Sequence, residues 1–189
     1  MRYPGRNSLF GHQACLWRVL LVSAVILLLG CHQEPPLNPG IASFKQELKK
    51  CLDGLAVTLM EPVARRDVAG VKAALEQVES PAVKLCRMCP FEIAVLDPSG
   101  KILSAYPVKG DGQAKDFSSY DLVKKAISSN KIQQQALFLP DASKLYLVCS
   151  PLIQQDKLIG LVAIAISSAD AEKRWGLTEK EFLALDFDD

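Results

Sequence analysis

Lys157-Leu158-Ile159-Gly160-Leu161-Val162-Ala163-Ile164-Ala165-Ile166-Ser167 is the stretch that decides the fold. In an extended chain successive side chains point to opposite faces. Leu158, Gly160, Val162, Ile164 and Ile166 therefore share one side, and Ile159, Leu161, Ala163 and Ala165 the other. Both sides are apolar, as expected of a central strand in a sheet covered on both faces. Upstream, Gln154-Gln155-Asp156 reads as a turn and Lys144 to Ile153 as a second strand. Pro140-Asp141-Ala142-Ser143 is another turn, and Gln133 to Leu139 a third strand. Connections this short join antiparallel neighbours.

Two further strands lie earlier. Phe91 to Leu96 and Lys101 to Tyr106 form a hairpin on Asp97-Pro98-Ser99-Gly100, with Asp, Pro and Gly where a type I turn favours them. Val108 to Lys115 is a polar, glycine-bearing loop. Ser118 or Ser119 can cap a short helix running to about Ser128, with Leu122, Val123, Ala126 and Ile127 inward. Before the hairpin the period is helical: Phe44, Leu48, Cys51/Leu52, Leu55, Leu59 and Val63, resuming at Val68, Val71, Leu75 and Val78. That is one kinked helix or two in sequence, with Arg65, Arg66 and Asp67 as a solvated corner. Thr178 and Glu181 fit a capping box for a last short helix. The predicted class is α+β: a long N-terminal helix on one face of a five-stranded antiparallel sheet. The 107–130 segment is left for the other face, with room for a pocket.

Composition narrows the function classes. The chain has 189 residues, 22 basic and 21 acidic, for a net charge of +1. So even a balance argues against a nucleic-acid binder, which presents a basic face. At 49% hydrophobic residues the chain is expected to fold along most of its length. Only one stretch looks membrane-like, which excludes a multi-span transporter.

That stretch is the start of the chain. Arg2, Arg6 and Arg18 precede an apolar run, Val19 to Leu29, which is about half the ~20 residues a spanning helix needs. A basic start and a short apolar run form an export signal. Leu28-Leu29-Gly30-Cys31 resembles the lipobox of bacterial lipoproteins. The resemblance implies a signal peptide over 1–30, cleavage between Gly30 and Cys31, and a diacylglyceryl group on the Cys31 thiol. Removing three arginines takes the net charge from +1 to −2. Residues 31–40, with Pro35, Pro36 and Pro39, read as a semi-rigid tether. His32, rather than Asp, follows the lipidated position, which favours an outer membrane location facing the periplasm.

Processing would remove His12 and Cys15 and leave His32 as the one histidine, beside the anchor. A Ser-His-Asp or Cys-His pair, a His-rich metal site and haem attachment are then all unavailable, so neither catalysis nor a cofactor is expected. Cys51, Cys86, Cys89 and Cys149 allow three disulfide pairings. Cys86-Arg87-Met88-Cys89 is a candidate disulfide, a thioredoxin-like redox pair, or part of a four-Cys metal site. A redox pair needs its first cysteine at a helix start after a strand; here a helical pattern precedes and a strand follows.

The order of these elements is similar to a single Cache domain, the PAS-like extracytoplasmic sensor module of chemoreceptors and histidine kinases. The residues that carry the likeness are Ala94-Val95-Leu96-Asp97-Pro98-Ser99-Gly100-Lys101-Ile102-Leu103 and Asp116-Phe117-Ser118-Ser119-Tyr120. Leu145-Tyr146-Leu147-Val148-Cys149-Ser150-Pro151-Leu152 and Leu158-Ile159-Gly160-Leu161-Val162 complete it. The match implies a Cache-like domain over 41–175, followed by a short helix and tail over 176–189. It also implies binding of a small organic acid or amino acid, without catalysis. A membrane receptor is the implied signalling partner, and the long helix allows a homodimer. A ligand pocket would take Tyr106, Asp116, Tyr120, Tyr146 and Ser150 as polar groups, with Phe117 and Phe138 as apolar walls. The alternatives are a thiol-disulfide oxidoreductase on Cys86 and Cys89, and an envelope scaffold whose pocket has been lost.

Overall fold

Asn38 opens the first helix, α1 (Pro39–Ala64): its side-chain oxygen accepts the Gly40 N–H at 3.1 Å. Pro39 follows at the start, where a helix tolerates proline because that N–H has no intrahelical partner. The computed structural model describes residues 38–78, 92–106 and 116–187. All of these belong to the unit Leu37–Asp189. Gly30, Cys31, Cys86, Cys89 and the leader lie outside the described residues. Among the described residues no helix is long and apolar enough to cross a membrane.

Ile41, Phe44, Leu48, Cys51, Leu52, Leu55, Leu59 and Val63 are all buried, so α1 presents one continuous stripe to the sheet. Fully burying a side chain of this size stabilises by about 1.5–3 kcal/mol. The helix breaks at Arg65-Arg66-Asp67, all exposed, with Arg66 at φ 55°. Asp67 then starts α2 (Val68–Val78) by accepting the Gly70 N–H at 2.9 Å. Two helices in sequence is therefore the arrangement. Pro62 stays inside the last turn of α1.

The five strands are β1 (Glu92–Leu96), β2 (Ile102–Tyr106), β3 (Gln133–Phe138), β4 (Lys144–Gln154) and β5 (Lys157–Ser167). They form one sheet in the order β2-β1-β5-β4-β3, antiparallel throughout. The doubly apolar stretch is the central strand, as its sequence predicts. Gln155 and Asp156 both take positive φ, 51° and 61°, and form the two-residue turn that suits the twist of a hairpin. Gly160 lets α1 come close: a Cβ there would lie 2.6 Å from Val63 Cγ1 and 2.7 Å from the Leu96 carbonyl oxygen.

The short helix α3 (Asp121–Ser129) starts later than expected. Its N-cap is Tyr120, which makes no side-chain capping bond. Ser118 is instead engaged upstream, where its N–H donates to Asp116 at 2.8 Å. After β5 the chain forms a helix that the apolar period does not announce, α4 (Ser168–Trp175), stopped by Gly176. The last helix, α5 (Glu179–Leu183), has the expected capping box. Thr178 Oγ1 accepts the Glu181 N–H, and Glu181 accepts the Thr178 N–H at 2.9 Å.

Residues beyond 176 belong to the same core: Leu177, Phe182, Leu185 and Phe187 are buried with the α1 stripe. An aromatic cluster holds this face together. The Phe44 ring meets Trp175 edge-on at 5.0 Å, and Tyr146 stacks on Phe182 at 4.4 Å and 9°. Gln134 Nε2 fastens the C-terminal turn to β3 by donating to the Leu185 carbonyl at 2.6 Å and the Leu183 carbonyl at 3.2 Å. Helices α1, α4 and α5 thus share one face of the sheet, and α3 takes the other.

Candidate functional site

Residues opposite one another on neighbouring strands share a face, so the register assigns every side chain. On the face away from α1, Ala94 stands opposite Ala105 of β2 and Ala163 of β5, and Ala165 stands opposite Leu147. Four methyl groups thus floor this part of the sheet, and all four alanines are half-buried. Beside them α3 sets Leu122, Val123 and Ala126 against Leu96, Cys149 and Leu161. One side of this alanine patch is therefore packed.

The Asp116–Tyr120 segment borders this face and is locked to the hairpin turn. Lys101 bridges to Asp116, and the Phe117 N–H donates to the Gly100 carbonyl at 3.0 Å. Phe117 packs into the loop-side cluster and lies 5.1 Å from the Tyr120 ring, which is exposed. The Ser118 hydroxyl and N–H hold the Asp116 carboxyl below its ordinary range. At the turn, partial burial pulls the Asp97 carboxyl upward. The Ser99 hydroxyl and the N–H groups of Lys101 and Ser99 outweigh it and leave the group low. Both carboxylates are thus ionised and locally satisfied. Two of the four sequence pieces that carried the family resemblance, 94–103 and 116–120, are here one connected substructure.

The seven expected pocket residues divide. Asp116, Phe117 and Tyr120 border the loop-side face. Tyr146, Ser150 and Tyr106 point the other way, because they pair with Ile166, Val162 and Ile93, which belong to the α1-side core. Tyr146 is a core residue, 3% exposed and stacked on Phe182. Burial pushes its hydroxyl above the ordinary tyrosine range. Phe138 is on edge strand β3, exposed, with the Lys144 ammonium 4.7 Å from its ring centre. A single pocket built from all seven is not what the fold makes: the sheet separates them.

The alanines are what the residue reading passed over. Their signal was present in Val162-Ala163-Ile164-Ala165-Ile166, where every large side chain falls on one face and every small one on the other. Such a strand sets large side chains against one layer and small ones against the other.

Cys51 is on the buried stripe of α1, and Cys149 belongs to the loop-side cluster, so the sheet stands between them. Cys149 is a thiol, which removes it from the disulfide pairings that four cysteines would allow. Burial pushes the Cys149 thiol up to about 12, far from the reactive thiolate form. Among the described residues no three His, Cys, Asp or Glu side chains converge as metal ligands.

The fold, α+β with helices on a five-stranded antiparallel sheet, is similar to that of three solved domains. A domain from a sensory box/GGDEF family protein of Vibrio parahaemolyticus matches with a TM-score of 0.54 at 13% identity, over 75% of this chain and 60% of that one. The extracellular domain assigned to histidine kinase vpHK1S-Z8 matches at 0.57 and 15%, over 75% and 57%. The ligand-binding domain of the Pseudomonas aeruginosa amino acid chemoreceptor PctB, in complex with L-Arg, matches at 0.54 and 17%, over 74% and 56%. This chain therefore spans less than two thirds of each of those chains. No protein-family model matches the sequence, and no curated protein matches it.

Proposed function

We propose that the protein is a Cache-like binding module, held at the cell envelope by a lipidated Cys31, that takes a small organic acid or amino acid. The ligand would lie over Ala94, Ala105, Ala163 and Ala165, with Asp116, Phe117 and Tyr120 at the border. The observation that carries this reading is the asymmetry of the sheet. One face is filled by interlocked aromatic rings, and the other is floored by half-buried methyl groups beside a braced polar segment. Ligand sites are concave, largely apolar, and furnished with a few fixed polar groups. The PctB domain, part of which shares this fold, is a ligand-binding domain in complex with L-Arg.

In this reading the module performs no catalysis, sits in the outer membrane facing the periplasm, and presents its bound state to a membrane receptor. A homodimer through α1 is compatible with the exposed Val57 on that helix.

The test is a thermal-shift screen of the exported protein against amino acids and short carboxylates, repeated with A163L. The expected result is a stabilising compound whose effect A163L removes while the unliganded unfolding temperature holds. Equal binding by A163L would place the ligand elsewhere. No stabilising compound at all would turn the reading toward a scaffold.

A further inference from the structure

The two ends of the sheet differ in what they expose, and α1 runs from one to the other. Near its start Phe44 meets Trp175 at 5.0 Å and Phe182 at 6.5 Å between ring centres, and near its finish Val63 lies against Gly160. Its 26 residues cover about 39 Å.

At the starting end the chain is tightly knit. A Cβ on Gly40 would come within 2.2 Å of the Trp175 carbonyl oxygen, so the first turn of α1 touches the end of α4. Glu179, just beyond, pairs with Lys144, whose ammonium lies over the Phe138 ring. Phe138 is 64% exposed, and Leu183, one turn past Glu179, is 46% exposed. Pro140, in the β3–β4 turn, is exposed as well. An outward aromatic ring therefore sits at the end of the domain where the chain enters α1.

Seven positions separate Cys31 from Asn38. An extended chain covers at most ~3.6 Å per residue, or about 25 Å over that length. With the lipid anchor proposed above, on which this inference rests, the start of α1 is confined to that distance from the bilayer. Ile153 and the Gln155-Asp156 turn are at the opposite end of the sheet.

We infer that the β3–β4 end of the domain docks on the lipid surface, with Phe138, Pro140 and Leu183 as its contact. The charges around that contact are mixed: Asp141, Lys144, Glu179, Lys180 and Glu181. Attraction to anionic headgroups is therefore not what holds it. Apolar side chains enter the headgroup–acyl boundary to a depth of ~5–10 Å, and such contact does not depend on salt. The sheet then stands upright on the membrane, and the alanine-floored face opens sideways.

The test uses the full chain, exported and processed in a bacterial host and reconstituted in phosphatidylcholine vesicles with brominated acyl chains. Bromine quenches nearby tryptophan. Trp175 is 5% exposed and supplies a background measured in the parent protein. F138W replaces an exposed ring at the docking end, and I153W reports from the far end. The added emission of F138W should fall roughly twofold, as for a ring in the headgroup–acyl boundary, and should stay quenched in high salt. I153W should be unaffected. Flotation with the vesicles but no quenching of F138W, or stronger quenching of I153W, overturns the docking and leaves the anchor standing. A chain that does not float with the vesicles overturns both.

Discussion

The two faces of this sheet are built from the same strands and yet are opposite materials. On the α1 side every strand contributes a large side chain, and four aromatic rings, Phe44, Tyr146, Trp175 and Phe182, meet edge to face or stacked. On the other side α3 packs one part, and Ala94, Ala105, Ala163 and Ala165 form a stretch of small residues beside Leu145 and Leu147. The difference teaches where stability and where binding can reside. A face whose volume is already filled can bind nothing without first losing its own contacts, whereas a floor of methyl groups contributes little to folding and leaves space above it.

The largest effect should come from the filled face. F182A removes the ring that both Tyr146 and Phe44 touch, and should cost about 3–5 kcal/mol in urea unfolding. A cost below ~1 kcal/mol would mean that the C-terminal segment is only loosely attached.

A163L probes the floor itself. In an already packed layer an added side chain of this size costs ~1–3 kcal/mol, so a change below ~1 kcal/mol would mark the space above Ala163 as open. The smallest effect is expected at Asp97, whose carboxyl is held low. A folded-state value below 3.8 means that the ionised group adds stability at neutral pH. That contribution is lost as pH falls through 3.8 and below. D97N should flatten this acid limb of an unfolding curve and leave the alkaline limb unchanged. An unaltered acid limb would show that the turn contributes nothing to the pH dependence.

Much of the architecture was legible because it is written in local signals. The doubly apolar β5, the Asp97–Gly100 turn, the corner at Arg65–Asp67 and the Thr178/Glu181 capping box are each decided by a handful of neighbouring residues. Helix α4 was not legible. In Ser-Ala-Asp-Ala-Glu-Lys-Arg-Trp only Ala171 and Trp175 are buried, one turn apart, too few to draw an apolar stripe. The start of α3 was misplaced for a related reason. Serines 118 and 119 look like caps, but the Ser118 hydroxyl is turned to the Asp116 carboxylate.

The site was half legible. That Tyr146, Val148 and Ser150 share a face follows from the period of a strand. Which layer covers that face is settled only when α1, α4 and α5 have been placed. Alternating small residues in β5 were the better clue, since they report directly where volume is missing.

The Gln134 clamp has a consequence for the order of events in folding. The ring of Phe182, near the end of the chain, closes the core that Phe44, near the start of the domain, begins. Contacts so distant in sequence form late, after the loop between them has been closed. A chain emerging N-terminus first, from a ribosome or through a translocation channel, would hold α1 with part of its apolar stripe uncovered until residues 182–187 arrive. Holding back those residues should therefore keep the whole domain threadable, and their release should complete it in a single step.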